Sequence, residues 1–411
     1  MSQVCKNSKT VDGLGSTFNR LWSASIASNF ADGILKTAAP LLAATLTQDP
    51  FLISMMAALV MLPWLFFAIP VGVMVDRIVR RLALAVANSS RFLIASAVAI
   101  AVATDSITIW WLFIAAFLIG IAEVVYDTTT QSMIPQIVPK AKMDRANSRI
   151  QSAEILVSEF IGAPASGVLY ALAIVIPFIA NAAGLFVAIL LVLMIPKSFN
   201  ASAKAEQSSP AEEKNFWNEI KFGVRYLLDS YELRNLVIQT TVVAAAFALS
   251  QATMVLYLLQ VQEVPLAGFG FVVASIGAGA LLGSIFAPRL ASKFGSGIVL
   301  ASVNVAAGLA MTALYFAPSI WVAMPVFVLA GLTTGTWNVL LMSLYHRLIP
   351  NHLFGRIHGT RRTLVWGMMP IGSLVGGLIA TVDLRLPYLV GGLIATTMAL
   401  VYFRFLKNLS S

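Results

Sequence analysis

The chain has 411 residues, of which 59% are hydrophobic and only 11% are charged, whereas about a quarter of the residues of a soluble protein are charged. This composition excludes a water-soluble globular protein and indicates one whose solvent is largely lipid. The single cysteine, Cys5, excludes an intrachain disulfide and a multi-cysteine metal site. The formal net charge of +9 fits either a nucleic-acid partner or a membrane topology, and the positions of the charges decide between them.

Apolar segments recur along the whole chain, and each has the roughly 20 residues that a helix needs to cross a bilayer. They predict an all-α polytopic membrane protein with twelve transmembrane helices. The predicted spans are 18–46, 51–75, 82–103, 107–130, 147–170, 172–195, 235–259, 265–288, 297–317, 320–345, 359–381 and 386–406.

The cationic residues indicate the topology. All Lys and Arg residues except Lys36, Arg91 and Arg385 fall at or near the chain ends or the loops that follow even-numbered spans, and such residues are retained on the cytoplasmic side. The polar N-terminus lacks the apolar core and cleavage site of a secretory signal. We therefore predict cytoplasmic termini in a plasma membrane, in bacteria the inner membrane, and the charge balance needs no nucleic-acid partner.

Span one carries two ionisable residues, Asp32 and Lys36, in the stretch SNFADGILKTAAP. Asp32 lies about 18 Å beyond Arg20 along a helix, near the middle of a hydrocarbon core about 30 Å thick. Ionisable residues at this depth are costly and indicate function. Asp32 and Lys36 are one turn apart, so we expect a cavity-lining ion pair. Such a pair keeps Asp32 ionised and makes it a secondary candidate for proton coupling.

The loop after span two has the sequence GVMVDRIVRR, which includes Gly72, Asp76, Arg77 and Arg81. A degenerate copy, GSIFAPRLASKFG, begins at Gly283 in the second half. The loop resembles the signature loop of the major facilitator superfamily, a glycine followed by Asp-Arg and further basic residues. Because it has no side chain, Gly72 should let two helices approach closely, and the resemblance implies that the three charged residues lock one conformation.

Spans three to five hold further ionisable residues: Arg91 in span three, Glu123 and Asp127 in span four, and Glu154 and Glu159 in span five. Glu123 and Asp127 share one helix face, and two carboxylates this close resist simultaneous ionisation, which suits a proton carrier. We expect Arg91 to neutralise one of them. Glu123 and Asp127 are therefore the first proton-coupling candidates, and Glu154 and Glu159 follow. A static charge network that joins spans three and four is the alternative.

A polar, charged segment divides the spans six and six. Its second part, from Phe216, has apolar residues at helical spacing, which predicts an amphipathic helix on the membrane surface or packed on neighbouring loops. The expected domains are a cytoplasmic tail at 1–17, a six-helix bundle at 18–195, a cytoplasmic linker at 196–234, a second six-helix bundle at 235–406 and a cytoplasmic tail at 407–411.

The two halves share landmarks at a constant separation. Gly72 and Gly283 are as far apart as Pro139 and Pro350, which predicts two pseudo-symmetric bundles. Transporters built from such repeats bind substrate near the membrane midplane, between the halves, and alternate its access.

The second half carries its ionisable residues only at span ends, so its candidates are polar and aromatic residues that can line a substrate cavity. Pockets of broad specificity are mostly apolar and aromatic, with few polar groups. Together with Asp32, the cavity candidates are Gln251, Met254, Tyr257, Asn304, Trp337 and Asn338. Ordinary packing is the alternative role for the large residues among them.

Three further stretches narrow the resemblance: FNRLWSASIASNFADGILKTAAPLLA, IPQIVPKAKMDRANSRIQ and FGRIHGTRRTLVWGMMPIGSLVGGLIA. They are similar to the bacterial efflux branch of the superfamily, which contains macrolide exporters and the catecholate-siderophore exporter. The resemblance implies a secondary active transporter that exports amphipathic or hydrophobic small molecules by proton antiport with alternating access. The antiporter motif of the superfamily is present only in the imperfect form GAPASG at 162–167.

Other function classes receive less support. The chain has no Gly-x-x-x-x-Gly-Lys-Ser/Thr loop for nucleotide-driven pumping, and we expect no enzyme activity, metal or cofactor. An importer, a facilitator or a lysolipid flippase is the alternative within transport, and a non-transporting sensor or scaffold is the alternative outside it. The expected partners are a small-molecule substrate, protons and the lipid bilayer, and a monomer suffices as the transport unit.

Overall fold

The computed structural model describes residues 14–139, 142–196, 216–350 and 353–409. Every regular element within these ranges is a helix. Parts of the two predicted tails and of the predicted linker lie outside the described residues.

Six helices form the first half. They are α1 (Ser16–Leu46), α2 (Pro50–Arg77), α3 (Arg80–Ala103), α4 (Ile109–Ile137), α5 (Met143–Glu154, continuing through Ile155–Gly162 and Ala163–Leu172) and α6 (Ile176–Leu193).

A linker helix, Phe216–Asp229, precedes the second half. The helices that follow are α7 (Tyr231–Gln251, continuing through Met254–Leu256 and Tyr257–Val261), α8 (Leu266–Phe294), α9 (Ser296–Tyr315), α10 (Ile320–Leu348), α11 (Phe354–Ala380), α12 (Leu386–Val401) and a terminal helix (Phe403–Asn408).

The described helices account for all twelve predicted spans. Ten of them are long and apolar enough to cross a membrane. The other two are α1, which has 31 residues but carries Arg20, Asp32 and Lys36, and α12, which is apolar but has only 16 residues. The helix ends differ from the prediction mainly where polar residues continue a helix beyond the predicted span, as in α4, which extends to Ile137.

Local sequence explains where the helices begin and where α5 widens. Asp49 caps α2 by accepting a 2.8 Å hydrogen bond from the backbone N–H of Phe51, and Pro50 occupies the first turn, where its missing N–H costs nothing. In α5, Pro164 cannot donate to the carbonyl of Phe160, and the preceding segment Ile155–Gly162 is π-helical. Such widened turns are frequent at functional sites.

The packing partners of the helices repeat between the halves. α2 packs on α4 as α8 packs on α10, α3 packs on α6 as α9 packs on α12, and α1 contacts α5 and α6 as α7 contacts α11 and α12. The two halves meet along α2 with α11 and along α5 with α8. The predicted pair of pseudo-symmetric six-helix bundles is confirmed.

The bundles are closed against each other on one side of the membrane. We call the side that holds Ser16, the linker helix and Asn408 the linker side, and the opposite side the far side. Toward the far side, a Cβ on Gly377 of α11 would lie 3.1 Å from Cα of Phe51 in α2. Likewise, a Cβ on Gly167 of α5 would lie 2.9 Å from the carbonyl oxygen of Ala267 in α8.

Gly72 does not mediate close packing in this conformation, in contrast to the prediction. A Cβ at Gly72 would meet no atom within 4 Å, whereas one at its repeat counterpart Gly283 would lie 3.0 Å from the backbone nitrogen of Thr336 in α10. In the first half the close approach lies nearer the middle of the membrane, where a Cβ on Gly120 of α4 would be 2.7 Å from the carbonyl oxygen of Val60 in α2.

Candidate functional site

Asp32 forms its ion pair with Arg91 of α3, and not with Lys36 as predicted. The Arg91 side chain is only 2% exposed. Its Nη1 donates a 3.0 Å hydrogen bond to Oγ of Ser28, and its guanidinium carbon lies 5.6 Å from the ring centroid of Tyr126. A buried guanidinium requires an anionic partner. The pair with Arg91 is therefore favoured over the weak pair that Asp32 could form with Lys36, one turn along the same helix.

Lys36 pairs with Glu159 of α5, and its Nζ lies 3.0 Å from Oε1 of that residue. The two side chains are 56% and 25% exposed. Glu159 also lies at the boundary between the bundles, because a Cβ on Gly277 of α8 would be 2.9 Å from Cβ of Glu159. This second pair therefore joins α1 to α5 beside a helix of the other bundle.

Glu123 and Asp127 have no ion-pair partner in the described part of the chain, so the prediction that Arg91 neutralises one of them is wrong. Asp127 is half-buried, and the charges acting on it belong to Glu123, Glu154, Arg91 and Arg362. No group of three or more His, Cys, Asp or Glu side chains within the described ranges is arranged to hold a metal ion.

The sequence interpretation missed a cationic element in α11. The charge pattern counts Arg361 and Arg362 with the cationic loop before span eleven, but α11 begins at Phe354 and places both two turns inside the helix. The guanidinium carbon of Arg362 lies 4.5 Å from the ring centroid of Trp64 in α2 and 4.2 Å from that of Trp366. The two indole rings are 5.1 Å apart, so this cluster joins the bundles.

A cavity of about 300 Å³ lies in the second bundle between α7, α9, α10 and α11. Its polar wall includes Asn304, Asn338 and Arg361, and its aromatic wall consists of Phe247, Trp337 and Trp366. Three of the predicted cavity residues, Asn304, Trp337 and Asn338, thus line one space. Their contact with a substrate stays a prediction.

The other second-half candidates lie elsewhere. Tyr257 is fully buried in the core, where its hydroxyl donates a 2.7 Å hydrogen bond to the carbonyl oxygen of Leu314. Met254 packs against the same core, and Gln251 lines a separate small void beside Phe247. The structure thus gives Tyr257 and Met254 the packing role that the sequence left as the alternative.

The loop after α2 is described only in part. The side chains of Asp76 and Arg77 lie outside the described part of the structure, so their predicted locking role stays a prediction. The Arg81 side chain donates a hydrogen bond to the carbonyl oxygen of Leu193 at the end of α6. Arg81 therefore ties α3 to α6 within the first bundle.

The comparisons with known proteins agree with this architecture. The family described as transmembrane secretion effector matches residues 14–409. The chain belongs to this family, within the major facilitator superfamily. With this family match and its ten or more candidate membrane spans, the protein is a multi-pass membrane transporter.

Two kinds of relatives accompany the family match. The multidrug efflux pump Tap of Mycobacterium tuberculosis and Mycobacterium bovis is 26% identical over 360 residues, which cover 83% of this chain and 84% of Tap. A mutant of the nucleoside transporter NupG has a TM-score of 0.78 at 12% identity and covers 95% of this chain and 100% of that one. A bacterial homologue of the iron transporter ferroportin, in an inward-facing state, has a TM-score of 0.72 at 14% identity and covers 94% of this chain and 98% of that one. At these identities the two solved structures show the fold alone.

Proposed function

We propose that this transmembrane secretion effector exports amphipathic or hydrophobic small molecules from the cytoplasm in exchange for protons. The observation that carries the proposal is the pair Glu123 and Asp127, two carboxylates without an ion-pair partner in the described chain, midway along a membrane-spanning helix. An unpaired charge is costly in the membrane interior, and proton binding removes that charge.

The charges near Asp127 suggest how proton binding is coupled to movement. Arg362 belongs to the second bundle but contacts Trp64 of the first, and it attracts both Asp127 and Glu154. When Asp127 is ionised, this attraction holds the two bundles together at mid-depth. When Asp127 binds a proton, the attraction weakens and the bundles can rearrange.

The direction of transport rests on topology and on similarity. By the usual rule for Lys and Arg, the linker side is the cytoplasmic side. Because the bundles are closed at the far side, any exchange with the site in this conformation occurs from the cytoplasmic side. The relative Tap is named as a multidrug efflux pump. The charge topology and the name of this relative together favour export across a plasma membrane.

Everted membrane vesicles test this proposal, with fluorescein and rhodamine 6G as paired dyes. We expect energised vesicles that contain the protein to accumulate at least one dye, and nigericin in potassium chloride to abolish the accumulation by collapsing the pH gradient. Glu123→Gln and Asp127→Asn should each reduce uptake to the level of vesicles without the protein. Glu263→Gln is the matched control, because Glu263 is an exposed carboxylate in the α7–α8 loop.

Two results would contradict the proposal. Dye uptake that persists after the pH gradient collapses would identify a facilitator. Dye expulsion from everted vesicles would identify an importer.

A further inference from the structure

We propose that the cavity between α7, α9, α10 and α11 binds aromatic amphipathic molecules through an anionic group, with Arg361 as the residue that holds the anion. The inference rests on the proposed transport function and deepens it by naming a substrate class. It starts from the positive charge on the cavity wall: Arg361 lines the cavity, and no carboxylate is among the lining residues.

Arg361 has no counter-ion among the described residues. Its Nε is buried and has no hydrogen-bond partner in the described chain. The guanidinium instead contacts Tyr345, whose ring centroid is 4.6 Å away and whose hydroxyl is within its hydrogen-bonding reach, and it lies near the like-charged Arg362. Because Arg361 is half-buried and has no counter-ion, a ligand anion at this position would stabilise its charge.

A second observation points to a ligand in the same space. Asn304 also lines the cavity, is only 5% exposed, and its Nδ2 is buried without a hydrogen-bond partner. Buried polar groups without a partner are rare in folded proteins. The cavity is thus lined by an amide and a guanidinium, and both groups donate hydrogen bonds to carboxylates, phenolates and sulfonates.

The remaining wall fits an aromatic body. Phe247, Trp337 and Trp366 line the cavity, and its volume of about 300 Å³ is at the lower end of the range for sites that hold drug-sized molecules. Aromatic rings favour offset or edge-to-face contact with other rings. The site therefore matches an aromatic anion better than a lipophilic cation.

Binding to the purified, detergent-solubilised protein tests the charge preference without any proton gradient. The probes are fluorescein and rhodamine 6G, two dyes with the same xanthene core and opposite charge, and fluorescence anisotropy gives both dissociation constants. We expect fluorescein to bind about tenfold or more tightly than rhodamine 6G. Arg361→Gln should weaken fluorescein binding by about tenfold to a hundredfold, as for loss of a charged hydrogen bond, and should leave rhodamine 6G binding equal or stronger.

Matched variants separate loss of the site from loss of the fold. Arg289→Gln removes the same charge from an exposed position outside the cavity and should change neither constant. Arg361→Lys should keep the preference for fluorescein. Asn304→Asp, nearly isosteric, should weaken fluorescein binding and strengthen rhodamine 6G binding, so it tests the inference even where Arg361→Gln fails to fold.

Three outcomes would overturn the inference or part of it. Tighter binding of rhodamine 6G by the native protein would show that the site prefers cations. An unchanged fluorescein affinity in folded Arg361→Gln would remove Arg361 from the site. Displacement of fluorescein by lysophosphatidylglycerol at equal concentration would overturn the aromatic part and identify a lipid anion. Because proton-driven uptake is measured separately, either proposal can fail while the other stands.

Discussion

The two ion pairs of the first bundle differ in exposure and so in their physical roles. The Arg91 side chain is 2% exposed, whereas that of Lys36 is 56% exposed. Removing one partner of a buried pair costs about 3–5 kcal/mol, because it leaves an uncompensated charge. A pair that water can reach is worth about 0–1 kcal/mol, so the more accessible pair of Lys36 and Glu159 should be the weaker of the two. We therefore expect the pair with Asp32 to hold α1 on α3 and the pair with Glu159 to break and re-form during transport.

This difference predicts opposite results for two charge removals. Arg91→Met should lower the free energy of unfolding by about 3–5 kcal/mol and so strongly lower the thermal unfolding midpoint of the purified protein. Adding Asp32→Asn should restore part of the lost stability. Lys36→Met, the matched control, should change the midpoint little but should slow dye transport and alter its pH dependence. A native-like midpoint for Arg91→Met would refute the structural role. Unchanged transport in Lys36→Met would remove Lys36 from the cycle.

At the scale of helices, the sequence predicted well which helices exist and in what order, but it predicted poorly which side chains of different helices are in contact. The apolar runs are long enough that all twelve spans were found, because burial in lipid leaves a composition signal that needs no partner. The charge partners of Asp32 and Lys36 were wrong, because spacing along one helix shows neighbours at i+4 but not those on α3 or α5. Arg361 and Arg362 were missed as part of the site because charge at a span end is the usual mark of a loop.

The helix pair α8 and α10 shows how small residues replace the hydrophobic effect inside a membrane. A Cβ on Gly335 of α10 would lie 2.7 Å from the carbonyl carbon of Ala280 in α8, and one on Gly283 of α8 would lie 2.9 Å from the carbonyl carbon of Leu332. Lipid tails are as apolar as leucine, so close backbone contact is what favours association. The sequence indicates this close packing by two glycines four residues apart in each helix, Gly279 with Gly283 and Gly331 with Gly335.

Adding one methyl group at this contact should destabilise the second bundle. We expect Gly335→Ala to cost about 1–3 kcal/mol, as overpacking does in well-packed cores, and to lower the thermal unfolding midpoint. Gly359→Ala is the control, because a Cβ at Gly359 of α11 would meet no atom within 4 Å. Equal midpoints for the two variants would show that α8 and α10 separate without cost.

At the scale of the whole molecule, the contacts between bundles divide into a closed end and a coupling region. The far side is closed by α2 against α11 and by α5 against α8. The coupling region lies at mid-depth, where Arg362 and Trp366 meet Trp64, and where Glu159 lies beside Gly277. The sequence predicted two bundles and a midplane site, but only three-dimensional packing shows which side is closed.

If transport alternates access, the closed far side must open in each cycle, and a covalent link across it should stop transport. The side chains of Gln48 and Gln260 hydrogen-bond across the far side, from the α1–α2 loop to the end of α7. In a Cys5→Ser background, Gln48→Cys with Gln260→Cys should cross-link with a short bifunctional thiol reagent that a reducing agent cleaves. Dye uptake by everted vesicles should fall to background and return on reduction. The control pair, Arg20→Cys with Met194→Cys, joins α1 to the end of α6 within one bundle and should cross-link without stopping uptake. Complete cross-linking of the Gln48 and Gln260 positions with undiminished uptake would contradict an opening of the far side, because the linked ends of α1 and α7 cannot separate.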